Sequence, residues 1–248
     1  MVGASTETGF PVVTQLLDMH VRVNVAVSAD GKLSTVDRQQ VRISGSDDFD
    51  RVDALRAEAD AVMVGIGTVL ADDPSLTIDD PDRIARRQQS GRNDQPMRVV
   101  TDSYARVPPD ARVLDDTAET TILVSAEAPA ERREAIVTAG NRIHAVGTNR
   151  VDLRRGLQAL ETDGISTILV EGGGEVIFSL FESGLVDEVS MYVGDMIIGG
   201  TAAPTMADGV GYTERSQFPR LERRSVTPLD EGVLIEWSVA KKRENRIE

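Results

Sequence analysis

The 248-residue sequence contains no cysteine, and this absence removes several kinds of chemistry. Without thiols the chain forms no disulfide, has no thiolate nucleophile and offers no sulfur ligand to zinc. Its only two histidines, His20 and His144, are far apart in the sequence and lie outside the glycine-rich segments. A histidine-based zinc site or a Ser-His-Asp triad would need partners that the sequence does not offer. We therefore expect no metal site.

Long apolar runs and basic residues are also scarce. No stretch approaches 18 consecutive apolar residues, and residues 1–14 lack the basic and apolar blocks of a secretory signal, so we expect a cytoplasmic protein with no membrane helix. The formal net charge of −14 argues against binding to nucleic acid or anionic membranes. The only lysines are Lys32, Lys241 and Lys242. A dispersed acidic, lysine-poor surface is typical of a halophile's cytosol, although an ordinary acidic enzyme is the alternative.

The rest of the sequence alternates strand-like and helix-like segments, and its 40% apolar content suffices for one core. Buried-strand patterns cover residues 21–27, 61–65, 98–101, 121–125, 142–146 and 167–170, and helical patterns cover residues 46–59, 152–162 and 175–183. Residues 188–193 and 232–239 are strand-like with no helix between them, which predicts antiparallel pairing. We therefore predict an α/β fold with a mostly parallel sheet, helices on both faces and antiparallel C-terminal strands. The expected division is an extension over residues 1–20, one domain over residues 21–240 and a polar tail over residues 241–248.

Local signals add detail to this outline. Ser46 is the predicted N-cap of the first helix. The predicted apolar positions of that helix are Phe49, Val52 and Leu55. Residues 79–95, which are polar and rich in arginine, and residues 201–220 are both predicted to be loops. Arginines kept in a loop of an acidic protein either bind a phosphate or are simply solvated.

Two glycine-rich turns follow predicted strands. The first contains Gly65, Gly67 and Thr68, and the second is Glu171-Gly172-Gly173-Gly174-Glu175. Glycines at the end of a strand let the backbone approach a phosphate, and the helix that follows offers free N–H groups. Leu70 and Ile177 stand where the third glycine of G-x-G-x-x-G would be, so the dinucleotide fingerprint is incomplete. Tight structural turns are the alternative interpretation.

Three charged side chains accompany these turns. Glu171 closes a predicted parallel strand, at the edge where such sheets bind ligands; stabilisation of a helix start is the alternative. Lys32, which follows Asp30 in a turn, is suited to a phosphate or a sugar hydroxyl, or is an ordinary hairpin lysine. Arg56 is suited to bidentate capture of a phosphate, or pairs with Asp60 four residues later.

Taken in order, these motifs resemble the RibD C-terminal-domain family over residues 21–237. The matching segments are Ser28 to Lys32, residues 56–77, residues 98–103 with Arg106 and Pro108, Leu169 to Gly174, residues 184–189, and Ile198-Gly199-Gly200. Each motif is modest alone, but the ordered set is specific. Residues 193–198 depart from the family pattern, because many relatives carry a proline and a lysine there. The chain also lacks the H-x-E and cysteine ligands of the zinc deaminase domain found in two-domain members, so deamination must occur elsewhere.

The resemblance implies a dihydrofolate-reductase-like, three-layer fold that acts as a homodimer and uses NADPH to reduce the sugar of a ribosylaminopyrimidine 5′-phosphate in riboflavin biosynthesis. The implied cofactor contacts are Ala26, Gly65, Gly67, Thr68, Asp72, Ser103, Arg106, Gly172, Gly173, Gly174 and Glu175. Ser103 and Arg106 are the candidates for the 2′-phosphate. The implied substrate contacts are Ser44, Arg56, Leu76 and Glu171, with Arg56 at the 5′-phosphate. The implied catalytic residues are Lys32, Glu171 and Asp30, with Lys32 or Asp30 assisting ring opening or protonation.

Two other functions stay open at this point. A dihydrofolate reductase shares the implied fold but would place an acid on the first helix, where Asp53 is the nearest candidate. A regulatory nucleotide-binding module without catalysis belongs to a different class. When its charged site residues are changed, such a module would lose ligand affinity rather than turnover. The reductase hypothesis depends on one geometric condition, namely that Gly67 and Gly173 border the same cleft.

Overall fold

The computed structural model describes residues 17–240. Within them a single sheet contains the strands β1 (His20–Val27), β2 (Ala61–Gly65), β3 (Met97–Thr101), β4 (Thr120–Val124), β5 (Arg142–Ala145), β6 (Thr167–Gly172), β7 (Glu188–Val193), β8 (Leu221–Leu229) and β9 (Gly232–Val239). The helices are α1 (Ser46–Glu58), α2 (Ile66–Asp72), α3 (Pro81–Gln89), α4 (Ala130–Thr138), α5 (Leu153–Thr162) and α6 (Gly174–Glu182). The predicted tail and residues 1–16 of the predicted extension lie outside the described residues.

The strand order is β5-β4-β3-β2-β6-β1-β7-β9-β8. The first seven strands of this order run parallel, and β9 pairs antiparallel with both β7 and β8. The chain moves outward from β2 to β5 and then returns, so that β6 lies between β2 and β1. Such a reversal of strand order opens a crevice at the carboxyl ends of the strands. The predicted sheet, including its antiparallel C-terminal pairing, is confirmed.

Two apolar clusters pack against the sheet because side chains alternate along each strand. In β2, Ala61 and Met63 belong to the cluster that contains α5 and α6, whereas Val62 and Val64 belong to the cluster that contains α2 and α4. Leu157 and Leu160 of α5 are fully buried, as the helical pattern predicted. Full burial of one such side chain stabilises a fold by about 1.5–3 kcal/mol. The clusters lie on opposite faces of the sheet, so the molecule has three layers.

The start of α1 differs from the prediction. Gly45, not Ser46, is the N-cap, and it supplies no side chain. The cap comes instead from the turn between β8 and β9, where the Asp230 carboxylate accepts hydrogen bonds from the backbone N–H groups of Gly45, Asp47 and Asp48 at 3.0–3.1 Å. A cap supplied by a residue 182–185 positions away along the chain leaves no local sequence signal.

The predicted apolar face of α1 is only partly present, because Leu55 packs against the cluster that contains α2 and α4 but Phe49 does not face the core. Phe49 is 54% exposed, whereas Asp48 and Asp53 are buried. Arg51 donates hydrogen bonds to Asp48 on its own helix, to Asn24 on β1 and to Ser190 on β7. The helix therefore meets the sheet partly through a satisfied polar network, which a hydrophobic period does not detect.

The predicted loop at residues 79–95 contains α3, so that prediction is wrong. Asp80 caps the helix by accepting from the N–H groups of Asp82 and Arg83, and Pro81 opens its first turn. An aspartate followed by proline is a recognised signal for the start of a helix. The prediction of a loop relied on the polar composition of the segment and did not use this signal. The arginines here bind α1: Arg83 pairs with Asp50 and Asp53, while Arg87 and Arg92 donate to carbonyls at the end of α1.

The outermost strand, β8, was not predicted. It pairs with β9 along its length, but nearly all of its residues are exposed, including Leu221 at 42% and Val226 at 52%. A strand with little burial on either face shows no alternation of polar and apolar residues, so β8 could not be recognised from its sequence pattern. Within residues 17–240, no helix has the length and apolar character needed to span a bilayer.

Candidate active site

The two glycine-rich turns lie side by side at the carboxyl edge of the sheet. Val64 of β2 is in register with Gly172 of β6, and a methyl group added to Gly173 would lie 3.2 Å from both N and Cα of Gly65. Gly173 itself has φ +90°, which glycine adopts without strain. A methyl group added to Gly67 would meet nothing within 4 Å, so this residue faces open space. Both turns therefore border the same edge of the sheet, and a cleft shared by Gly67 and Gly173 stays a prediction.

The helices that follow these turns start on glycine. Gly65 precedes α2 and Gly173 precedes α6, and neither helix start has a side-chain cap. Asp208, which sequence reasoning missed, approaches the start of α6: its N–H donates to the carbonyl of Gly174, and its Oδ2 lies 2.6 Å from where a Cβ on Gly174 would be. Asp208 is held by the N–H and hydroxyl of Thr205. No local motif marks it, because its position depends on the fold of residues 201–210.

Arg56 and Glu171 form a two-point ion pair at the end of β6. Nε and one terminal nitrogen of Arg56 donate to the two oxygens of Glu171, each at 2.7 Å, and the other terminal nitrogen donates to the carbonyl of Thr77 at 2.9 Å. The side chains are only 19% and 10% exposed. Burial acts against the charged guanidinium, but the adjacent Glu171 carboxylate outweighs it and raises the pKa of Arg56 above its usual value.

The alternative partner for Arg56, Asp60, is occupied elsewhere. The Asp60 carboxylate accepts from the N–H and hydroxyl of Ser166 and from the N–H of Thr167. The i,i+4 pair that the helical spacing offered is therefore not formed. Two residues 115 positions apart in sequence meet instead, and no local motif encodes that contact.

Asp30 and Lys32 hold the segment around residues 198–205 beside the end of β1. The Asp30 carboxylate accepts from the Ser28 hydroxyl and from the N–H groups of Ile198 and Gly199. The Ser28 hydrogen bond, with these backbone donors, lowers the pKa of Asp30 to about 2. A carboxyl group that is ionised at all but very low pH is a poor proton donor, so the predicted protonating role does not suit Asp30. The ammonium group of Lys32 lies 3.5 Å from the carbonyl of Ala203.

Arg106 and Ser103 follow β3 at the same edge. The Arg106 side chain is 48% exposed and lies 3.5 Å from the fully buried carboxylate of Asp102. The N–H groups of Arg106 and Val107 both donate to Asp102, so the turn is fixed while the guanidinium faces outward. The Ser103 hydroxyl accepts from the N–H of Val151 at 3.1 Å. Asp102 is a further residue that the sequence prediction omitted.

The remaining predicted residues divide between the edge and the core. Ala26 and Thr68 are half-buried, Glu175 is exposed in the first turn of α6, and Ser44 lies between Ile43, which contacts Gly194 at the end of β7, and the start of α1. Burial raises the pKa of Asp72, at the end of α2. Leu76 is only 1% exposed and belongs to an apolar cluster. The structure therefore brings most of the predicted residues to one edge but does not expose Leu76 there.

The acid that a dihydrofolate reductase would need on the first helix has other partners. The two Asp53 oxygens accept from the N–H groups of Asp79 and Asp80 and from Arg83. Asp53 is 9% exposed. These contacts connect α1 to α3, so the role of Asp53 in this structure is to hold the two helices together.

Comparison with known proteins matches residues 19–235 to the model of the RibD C-terminal domain. Among curated proteins, the chain is similar to the 2,5-diamino-6-ribosylamino-4(3H)-pyrimidinone 5′-phosphate reductases of two archaea. It is 45% identical to that of Archaeoglobus fulgidus, over 82% of this chain and 93% of the relative. It is 43% identical to that of Methanothermobacter thermautotrophicus, over 89% of this chain and 98% of the relative.

Among solved structures, the chain is similar to RibD of Acinetobacter baumannii. The TM-score is 0.75 and the identity is 26%, over 90% of this chain. This chain spans 58% of that structure. The match supports the expected dihydrofolate-reductase-like fold of the reductase domain.

Proposed function

Because the chain belongs to the RibD C-terminal-domain family, we propose that it reduces the ribose of 2,5-diamino-6-(ribosylamino)-4(3H)-pyrimidinone 5′-phosphate with NADPH, in riboflavin biosynthesis. The observation that carries the proposal is the junction at the carboxyl edge, where the Gly65 and Gly173 turns abut and Glu171 closes the same strand that leads into the second turn. Ligands of open parallel sheets bind at this position.

The residues present fit a dinucleotide. A methyl group added to Gly172 would lie 3.1 Å from the Thr68 hydroxyl oxygen, and one added to Gly173 would lie 3.2 Å from the Gly65 backbone, so glycine lets the two turns pack closely beside the proposed diphosphate site. We assign the cofactor's diphosphate to the two turns with Thr68, and its 2′-phosphate to Ser103 and Arg106. Ala26, Asp72 and Glu175 complete the proposed contacts. When bound, NADPH supplies the hydride.

The chain's own residues position and polarise the sugar. We propose that the ribosylamine opens to an imine at C1′, which accepts a hydride at carbon and a proton at nitrogen to give the ribitylamine. In this proposal Glu171 accepts hydrogen bonds from the polar end of the substrate, and Ser44, which precedes α1, is a further substrate contact. Lys32 is the remaining proton donor near the sugar, because Asp30 is ionised and fixes the adjoining segment. Correct positioning of two reactants lowers a barrier by up to roughly 7–11 kcal/mol.

We also propose that the protein is a cytoplasmic homodimer adapted to high salt. The exposed outer strand β8, with Leu221 and Val226 uncovered, offers an apolar edge of the kind that a second copy covers. The net charge of −14 supports adaptation to salt. Sedimentation at several salt concentrations tests both points, and a monomer at all of them contradicts the dimer.

The decisive experiment measures loss of NADPH absorbance with the pyrimidinone ribotide at high salt, with NADH as the competing donor. We expect NADPH oxidation and a product whose mass has increased by two hydrogens. Dihydrofolate, given in a parallel assay, should not be reduced. Unchanged NADPH absorbance with the ribotide contradicts the proposal, and binding of both ligands without turnover would favour a regulatory module.

A further inference from the structure

We infer that Asp208, held by Thr205, is a positioning residue that fixes the start of α6 for the proposed cofactor. The inference rests on the proposed function, which assigns the cofactor's diphosphate to the glycine turns, one of which leads into that helix. Neither residue is among those that the family resemblance implied. Three features carry the inference: the hydrogen bonds of Asp208, the anchoring of Thr205 and the space beside Gly174.

Asp208 connects two segments that are far apart in the sequence. Its Oδ1 accepts hydrogen bonds from the N–H group of Thr205 at 3.1 Å and from the hydroxyl of Thr205 at 2.7 Å. Its own N–H group donates to the carbonyl of Gly174 at 3.1 Å. Gly174 is the first residue of α6, so Asp208 holds the helix at the end that follows the glycine turn.

Thr205 is in turn anchored to the chain that leaves β1. It forms an antiparallel bridge with Lys32, and the carbonyl of the neighbouring Pro204 accepts from the N–H group of Leu33 at 2.9 Å. Backbone pairing of this kind fixes Thr205 relative to the sheet. The position of Asp208, and with it the start of α6, is therefore set from the carboxyl end of β1.

The side of α6 that these residues contact has no room for a further side chain. A methyl group added to Gly174 would lie 2.6 Å from both the Oδ2 of Asp208 and the carbonyl oxygen of Thr205. One added to Gly209, the next residue after Asp208, would lie 2.9 Å from the ring of Phe178 on the same helix. The segment therefore packs closely along α6, and a displaced Asp208 would leave Gly174 without this lateral contact.

The charge of Asp208 does not itself favour the proposed ligand. A carboxylate beside the start of α6 would repel a diphosphate. The contribution of Asp208 to cofactor binding therefore lies in its hydrogen bonds and its shape. An asparagine at this position has nearly the same shape, and its carbonyl oxygen can still accept from Thr205.

The first test measures the Kd of NADPH by calorimetry, and KM and kcat by steady-state kinetics, for Asp208→Ala and Asp208→Asn. For Asp208→Ala we expect the Kd and KM for NADPH to rise about tenfold, in line with the loss of the hydrogen bonds that hold a binding turn. The kcat at saturating NADPH and the KM for the ribotide should stay close to those of the wild type. Asp208→Asn should bind NADPH nearly as well as the wild type. Unchanged NADPH binding in Asp208→Ala, or an equal loss in both variants, would overturn the inference.

Thr205 provides a second pair of variants, which also serves if Asp208→Ala does not fold. Thr205→Val removes the hydroxyl that binds Asp208 and should weaken NADPH binding, whereas Thr205→Ser keeps the hydroxyl and should restore it. Equal losses in the two variants would contradict the positioning role.

Asp60→Ala is the matched control. The Asp60 carboxylate likewise accepts from the N–H group and the hydroxyl of one residue, Ser166, but it lies at the amino edge of the sheet. Asp60→Ala should lower the free energy of unfolding and leave the Kd of NADPH unchanged. A loss of NADPH affinity as large as that of Asp208→Ala would show that general destabilisation causes the effect, and the inference would fall.

Failure of the proposed function gives a different result. If the wild-type protein binds NADPH but oxidises none of it with the ribotide, the reductase activity is disproved and the calorimetric comparison still decides the inference. If the wild-type protein does not bind NADPH, there is no cofactor for Asp208 to position, and both proposals fail. Normal NADPH binding and turnover in Asp208→Ala would overturn the inference alone.

Discussion

Arginines at the two ends of β3 show how the edges of this sheet differ. At the amino end, Arg98 is fully buried and donates to the Thr120 hydroxyl, to the Asp115 side chain and to three backbone carbonyls. Beyond the carboxyl end, the Arg106 side chain is 48% exposed and forms an ion pair with Asp102 at 3.5 Å. Arg98 at the amino edge uses its donors within the fold, whereas the side chain of Arg106 at the carboxyl edge is left half exposed.

Helix starts show the same difference. Asp80 and Asp152 cap α3 and α5, and Asp230 caps α1 from the C-terminal hairpin. In contrast, α2 and α6 begin on glycine at the carboxyl edge. The start of α4 also lacks a side-chain cap, so a missing cap alone does not mark a site. The distinguishing feature is the contact between two glycine turns at the carboxyl edge of the sheet.

The largest expected effect is at the amino edge. Arg98→Met should destabilise the protein by about 3–5 kcal/mol, because it leaves several buried backbone acceptors without a donor and removes the ion pair with Asp115. Urea unfolding at constant salt measures this. Arg142→Gln, whose ion pair is half exposed, should change stability by no more than about 0.5 kcal/mol. If both substitutions changed the free energy of unfolding by the same amount, Arg98 would not have the special structural role proposed for the amino edge.

The second-largest effect is expected where the Gly65 and Gly173 turns meet. Gly173 and Gly164 have nearly the same backbone, with φ +90° and +93°, but only Gly173 has another residue within 4 Å of an added methyl group. Both alanine variants should lose about 1–2 kcal/mol of stability through the backbone. Only Gly173→Ala should also lower kcat/KM for NADPH, by about 100-fold, since a small displacement in a binding turn has that consequence. Equal activities in the two variants would contradict the proposed cofactor site.

A smaller effect is expected for the outward-facing arginine after β3. Arg106→Gln should raise the KM for NADPH about tenfold, in line with the loss of a charge-assisted hydrogen bond, and leave the KM for NADH unchanged. Steady-state kinetics with both donors measures the ratio. A similar change for both donors would assign Arg106 to the fold rather than to the 2′-phosphate.

The smallest effect is visible only at low pH. The folded pKa of Asp30 is about 2, below its ordinary value of 3.8, so its ionised form favours the folded state. This stabilisation is present above about pH 4 and is lost as the pH falls towards 2. Asp30→Asn should therefore be less stable than the wild type at pH 6, and the difference should shrink below pH 4. Urea midpoints across this range measure it, and a constant difference would show that Asp30 does not titrate as described.

Features of the fold and the site were predicted correctly where their signal lies in a short stretch of sequence. The parallel strands were identified from their apolar runs, and α5 from its buried leucines. The polar helix α3 and the exposed strand β8 were missed, because neither follows a burial period. The glycine turns and charged residues of the site were found from motifs and from the family resemblance. Asp102 and Asp208 were not, since their positions are set by turns rather than by any pattern.

By itself the sequence determined eight of the nine strands, the helices α1, α5 and α6, the two glycine turns and the family. These features depend on local spacing and composition, which a linear chain displays directly. Only the tertiary structure decided which charged groups are paired. Arg56 is four residues from Asp60, yet it binds Glu171, because the return of the chain places β6 beside β2 and brings that carboxylate to α1. Pairing of buried charges depends on distances in space, and these exist only after the sheet has formed.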